Sequence, residues 1–235
     1  MSIESLKLYH FPASRSARVK WMLHEVVGSR FAIEIVDVYA GALFSPRFLR
    51  MNPNHSVSVP ILEIFWSDGS AQQMLESTAI VAFLADAYGE AHLAPPVQAS
   101  RGRADYLQML QFGGTTMDML LWQIRIHEHM LAIQERDPRT VTRYRSKFAT
   151  EIEPQLCQRL ESAPYICGEA FTAADCIMGH NVLWARRYGL CRASVFRRYL
   201  ARLAKRPACK AAFDDIDAFI LEVAPEQPLL TTFNG

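Results

Sequence analysis

The chain has 235 residues, half of them apolar and 21% charged, with a formal net charge of +1. That content suffices for a substantial core in one or two domains and excludes a disordered or fibrous protein. No apolar run approaches the ~20 residues that span a bilayer, and MSIESLKLYHF lacks the layout of a signal peptide. Five cysteines, an odd number, fit a reduced cytoplasmic setting, and the near-neutral charge argues against a dedicated nucleic-acid binder.

LKLYHF (6–11) reads as a strand. SARVKWMLHEV then places Val19, Met22, Leu23 and Val26 at the i, i+3, i+4, i+7 spacing of one helix face. FAIEIVDV (31–38) is a second strand, and the β-α-β order predicts a parallel pair with a crossover helix. VPILEIFW and AQQMLE, joined by SDGS, predict an antiparallel hairpin, because the Gly of Asp68-Gly69 tolerates positive φ. A helix starts at Ser77 with Ile80, Phe83, Leu84 and Ala87 on one face. Residues 1–88 therefore predict an α/β domain with a four-stranded mixed sheet.

GEAHLAPPVQAS (89–100) has the Gly and Pro-Pro of a linker. Beyond it, helical periodicity covers 106–130, 141–160, 173–188, 196–203 and 208–223, so 101–235 predicts an all-α helical-bundle domain. Gly113-Gly114 interrupts the first of these helices, at up to ~1 kcal/mol per glycine, and predicts a kink or a close approach by ligand or chain. In FTAADCIM, Thr172 and Asp175 form a capping-box pattern, with Phe171 and Cys176 placed as a hydrophobic staple. Cys157, Cys167, Cys176, Cys191 and Cys209 have no metal-ligand spacing and read as packing residues. The basic run from Arg186 to Lys210 reads as a solvated face opposite the acidic tail Asp214, Asp215, Asp217 and Glu222.

FPASRSARV sets Ser14 and Ser16 between a strand and a helix, where unpaired N–H groups favour negative charge. A hydroxyl there either caps the helix or donates to a thiolate, lowering a thiol pKa from its free value near ~8.5. Both roles can coexist.

LYHFPASRSARV, NPNHSVSVPIL, LESTAI and FTAADCIMG, in this order, make the chain similar over essentially its whole length to the cytosolic glutathione S-transferase family, in a serine-type, bacterial-like form. The resemblance implies a thioredoxin-like N-terminal domain joined to a helical one. It also implies glutathione as co-substrate without a metal, a homodimer, and a role in detoxification. Ser14 matches the serine of the PAS motif and is the first candidate for thiolate activation, with Ser16 and Tyr9 as alternatives. Arg15 stands where some relatives carry cysteine; it either adds positive potential or is a solvated surface residue. Residues 1–156 contain no cysteine, which removes a redox mechanism based on a thiol at this turn.

In the family the Val59-Pro60 bond is cis, and Val59 would pair with the cysteinyl backbone of glutathione. The family spaces its Asn-Pro and Val-Pro dipeptides by three residues, whereas five separate Pro53 from Val59 here. His55 in that loop is a candidate for the glycine carboxylate, or else an ordinary surface histidine. Ser77, as N-cap, would offer N–H groups to the γ-glutamyl carboxylate, and Glu76 would accept from its ammonium. Phe11, Tyr106, Met109, Phe112 and Met117 would line a second-substrate pocket for an apolar electrophile, unless they are bundle core. The function implied is transfer of glutathione to that electrophile. The rivals are a non-catalytic binding or adaptor protein of the same fold and a glutathione-dependent disulfide reductase or peroxidase.

Overall fold

A computed structural model describes residues 1–38, 42–52 and 59–216. Its first part is a mixed sheet of β1 (Ile3–His10), β2 (Ala32–Ile35), β3 (Ile61–Trp66) and β4 (Ala71–Met74), in the order β2-β1-β3-β4. β1 runs parallel to β2 and antiparallel to β3, with Leu8 opposite Leu62, and β4 closes the hairpin against β3. Gly69 adopts φ 83° in the turn that Asp68-Gly69 predicted. Helices α1 (Ser16–Val27) and α3 (Ser77–Ala87) pack on the sheet. This is the thioredoxin-like arrangement.

The periodicity gives no sign of α2 (Pro46–Met51), a single short helix between the second strand and the hairpin. Its end signals are local: Ser45 accepts a hydrogen bond from the Phe48 N–H at 3.3 Å, and Pro46 occupies the first turn.

The rest is helical. α4 (Arg101–Phe112) passes through a π-turn (Gly113–Met117) into α5 (Asp118–Arg125) and a second π-turn (Ile126–Met130). α6 (Pro138–Lys147), a π-turn (Phe148–Ile152), α7 (Glu153–Ser162), α8 (Ala173–Arg187), α9 (Ser194–Leu203) and α10 (Pro207–Ala212) follow. Gly113 and Gly114 mark a close approach of chain to chain. A Cβ on Gly114 would lie 2.0 Å from Thr78 Oγ1, and one on Gly113 would lie 2.8 Å from Ile177 Cγ2. Opening the helix into a π-turn there lets α3 and α8 come close.

α1 is the shared wall of the two parts. Ala17, Val19, Trp21, Met22 and Leu23 are all fully buried, as expected of a helix covered on every side. The Thr172 capping box is present at α8: the Thr172 N–H donates to Asp175 Oδ2 at 2.9 Å. Asp175 also accepts from the Ile166 N–H and the Tyr199 hydroxyl, so the box ties three segments together. All five cysteines are free, and burial raises each thiol, Cys167 to about 12. They are packing residues, as read.

Two expectations are corrected here. The segment 208–223 is not one uninterrupted helix: α10 ends at Ala212 and the chain turns, with Phe213 setting its ring edge-on against Trp21 at 5.8 Å, while the residues beyond 216 lie outside the described ones. That turn carries Asp214 and Asp215 away from the basic run and onto α1, where Lys20 Nζ meets them at 2.7 and 2.9 Å. Arg206, from the basic run, pairs instead with Glu25 of α1. Asp217 and Glu222 lie outside the described residues. No helix of the described residues is long and apolar enough to cross a membrane.

Candidate active site

Ser14 lies one residue after Ala13, which holds φ 58°, and two before the first residue of α1. The Ser14 hydroxyl is half-buried; it donates to the Phe11 carbonyl at 2.7 Å and accepts from the Ser16 N–H at 3.2 Å. The second contact occupies one N–H of the helix start, so Ser14 takes on part of a capping role. Ser16 Oγ is 2.7 Å from Ser14 Oγ and is fully buried. Tyr9, the third candidate, points elsewhere: its hydroxyl donates to Glu63 Oε2 at 3.1 Å, and Arg47 approaches it at 3.4 Å.

Arg15 is partly buried and paired. Its guanidinium takes Asp118 in a fork, with Nε 2.8 Å and Nη2 2.5 Å from Oδ1, and lies against the faces of Trp122 and Trp184. Arg18, fully buried on the inner side of α1, also reaches Asp118, at 2.6 Å. It donates further to His180 Nδ1, Ser77 Oγ and Asn181 Oδ1. Because Arg18 donates to Nδ1, His180 carries its proton on Nε2, which donates to the Ser14 carbonyl at 3.1 Å. Asn181 completes the network by donating to the Gly113 carbonyl at 2.7 Å.

Ser77 therefore differs from expectation. It is the first residue of α3 and gives no side-chain cap; Glu76 holds the N-cap position, at φ 68°. The Ser77 hydroxyl is turned inward to Arg18, so its contribution to an anion site would come from the backbone N–H groups of the helix start. Glu76 itself is exposed. Ala13 and Glu76, two non-glycine residues at positive φ beside the candidate site, each cost about 1–3 kcal/mol, a pattern that collects at functional sites.

Val59-Pro60 is cis, and both residues are buried directly before β3. Val59 shares a small apolar cluster with Phe11, Tyr9 and Ile61, so the start of β3 and the serine turn are neighbours. His55 lies outside the described residues. In the proposed second-substrate pocket, Tyr106, Met109 and Met117 are at most 2% exposed and belong to the main core, so they present no surface to a cleft. Phe11 is equally buried, in the smaller cluster, and Phe112 alone of the group is partly exposed. The core reading thus holds for four of these five side chains. No group of three or more His, Cys, Asp or Glu side chains suited to a metal is present among the described residues.

The sequence reading missed His10, Arg18, Asp118, His180, Asn181 and Asp215. For His10 a signal existed: in LKLYH it shares the inward face of the strand with Leu6 and Leu8, a core position filled by a polar residue. Its Nε2 meets Asp215 Oδ2 at 2.9 Å and its Nδ1 meets Ser16 Oγ at 2.7 Å. Arg18 and Asp118 gave none, since their pairing depends on the docking of α1 against α5.

Residues 4–86 match the glutathione S-transferase N-terminal domain. A disulfide-bond oxidoreductase of Escherichia coli, YfcG, is 28% identical over 86% of this chain and 92% of its own length. The crystal structure of a glutathione transferase from Burkholderia graminis, with two glutathione molecules bound per subunit, aligns at TM-score 0.76 and 25% identity, over 90% of this chain and 88% of that one. Residues 4–86 thus carry the glutathione S-transferase N-terminal domain, and the chain as a whole is similar in fold to glutathione transferases. A transferase structure from Methylococcus capsulatus aligns at TM-score 0.69 and 26% identity, covering 89% of this chain and 97% of that one. Sheet, crossover helix and helical region are thus arranged as in these transferase structures.

Proposed function

We propose that the protein is a glutathione transferase that binds glutathione against residues 1–88, stabilises its thiolate with the Ser14 hydroxyl, and transfers it to an apolar electrophile held toward residues 101–235. The observation that supports this reading is the half-buried Ser14 hydroxyl at the start of α1, within a glutathione S-transferase N-terminal domain. The positive end of α1 and the Ser14 O–H both favour the anion, and each unit of depressed thiol pKa is worth about 1.4 kcal/mol. Val59 supplies a strand-like rung, and Glu76 with the α3 N–H groups is suited to a zwitterionic γ-glutamyl end. Bringing the thiolate and the electrophile together supplies much of the rate. A cytoplasmic homodimer with a detoxifying role goes with this reading.

The experiment has two arms. Glutathione at a hundredfold excess over Kd should stabilise the fold by about 2.7 kcal/mol, seen as a raised Tm; no shift overturns the reading. Ser14→Ala should abolish the ultraviolet thiolate band of the complex and lower kcat/KM by about 10²-fold, the effect of removing one anion-stabilising donor. An unchanged band moves the role to another group. A second reading, glutathione-dependent disulfide reduction, is favoured by the similarity to the E. coli oxidoreductase. Turnover of a mixed disulfide but not of an apolar electrophile would select it.

A further inference from the structure

Behind Ser14 runs a hydrogen-bonded chain of side chains: Ser14 Oγ to Ser16 Oγ at 2.7 Å, Ser16 Oγ to His10 Nδ1 at 2.7 Å, and His10 Nε2 to Asp215 Oδ2 at 2.9 Å. A carboxylate only accepts, so His10 carries its proton on Nε2 and leaves the Nδ1 lone pair facing Ser16. Ser16 then donates to His10, since a buried imidazole nitrogen without a donor is costly. Ser16 Oγ in turn accepts from the Phe11 N–H at 3.1 Å and can accept from Ser14. When the Ser14 proton turns from the Phe11 carbonyl to Ser16, both at 2.7 Å, the two hydroxyl protons point inward along the chain and Ser14 Oγ is left as the acceptor at its outer end.

The geometry points to His10, held by Asp215, as the resting place of the glutathione thiol proton, reached through Ser14 and Ser16. This rests on the reading that Ser14 faces the sulfur. The thiol S–H bond breaks and its proton goes to Ser14 Oγ. The Ser14 proton passes to Ser16 Oγ, and the Ser16 proton to His10 Nδ1. A thiolate and an imidazolium paired with Asp215 result, with no proton gained from or lost to water. The chain now runs the other way, so the Ser14 O–H points at the thiolate it must stabilise. His10 and Asp215 never touch the sulfur; they are positioning residues that act through the serines.

The surroundings suit this role. Burial lowers the His10 pKa and its bond to Asp215 opposes that, which keeps the ring neutral and able to accept at neutral pH. The charged groups facing it are Asp215 and Asp214 from the segment after α10, and Lys20 from α1. Lys20 balances one of the two carboxylates, leaving the other to support an imidazolium. The Ser-His-Asp order is also that of hydrolytic triads, but Ser16 is fully buried and cannot meet an ester carbonyl.

The wild-type protein carries the first test. Ultraviolet absorbance counts thiolate formed on adding glutathione at neutral pH, and calorimetry in buffers of different ionisation enthalpy counts protons released. Thiolate without matching proton release is expected; one proton released per thiolate overturns the relay. No thiolate at all overturns both the relay and the reading of Ser14, so the two failures differ. His10→Asn keeps an acceptor oxygen but cannot take a proton. It should release one proton per thiolate and raise the pH midpoint of the bound thiol by about one unit, a tenfold change, with the glutathione Kd unchanged. Wild-type stoichiometry and midpoint in this variant overturn the proposal. Asp215→Asn, which leaves the sheet untouched, gives the same readouts if His10→Asn does not fold.

Discussion

The His10 network and the Arg18 network both cross the buried side of α1 and both contain a histidine, yet they end differently. In the Arg18 network each polar group meets a fixed partner: Asp118 is shared by two guanidiniums, His180 is held at both nitrogens, and Asn181 uses both ends of its amide. In the His10 network the last member, Ser14, is half-buried and has a proton that can turn between partners. A closed network can only hold the fold, whereas an open one can pass a change inward from its exposed end. The distinction also explains why burial drives His180 well below the ordinary imidazole range with no consequence for proton transfer: its two nitrogens are already committed.

The largest effect should come from opening the closed network. Asp118→Ala leaves the fully buried Arg18 without its counter-charge and should cost about 3–5 kcal/mol in urea unfolding. The wild type should also show an acid limb. Burial works against ionisation of Asp118, but Arg18 and Arg15 outweigh it and hold the carboxyl at about 2, against an ordinary 3.8. With the lower pKa in the folded state, its stabilisation is complete above about pH 5 and is lost as the pH falls through about 2. That loss, about 2 kcal/mol, should be missing from Asp118→Ala. An acid limb of the same size in both would mean that other carboxylates hold this joint together.

Next comes the contact that fixes α3 beside the π-turn. Gly114→Ala places a methyl 2.0 Å from Thr78 Oγ1 and 3.0 Å from its Cβ. Overpacking of this kind costs about 1–3 kcal/mol, and Thr78→Ala in the same chain should recover most of it. Purely additive losses in the double-mutant cycle would show that the helices already stand further apart.

Local rules were enough for most of the architecture. Short apolar runs mark the strands, Asp68-Gly69 marks the hairpin, the Thr172–Asp175 box marks the start of α8, and Gly113-Gly114 announces a close approach. Of the site, the residues with a local signature were legible: Ser14 and Ser16 at a strand-to-helix turn, and Glu76-Ser77 at a helix start. What local pattern does not show is a partner from far along the chain. Arg15 and Asp118 are 103 residues apart, and His10 and Asp215 are 205 apart. Periodicity within a helix says which face is buried but not which helix will cover it. Thus Tyr106 and Met109 were placed on the right face of α4, yet that face is core and not cleft.

The smallest change in stability should carry the sharpest reading of the two networks. Ser16→Ala removes the middle of the open chain, leaving the Phe11 N–H and His10 Nδ1 without the hydroxyl they share. The cost should be about 1–2 kcal/mol, below that of Asp118→Ala. Ser14 keeps its contact with the Phe11 carbonyl, so the outer hydroxyl stays in place. Ser16 thus tests connection and not position. If the open network acts, the bound thiol should titrate at higher pH in this variant even though Ser14 is intact, and a proton should appear in solution for each thiolate formed. If the titration is unchanged, Ser14 works alone at the helix start, and the His10 network is as passive as the one built on Arg18.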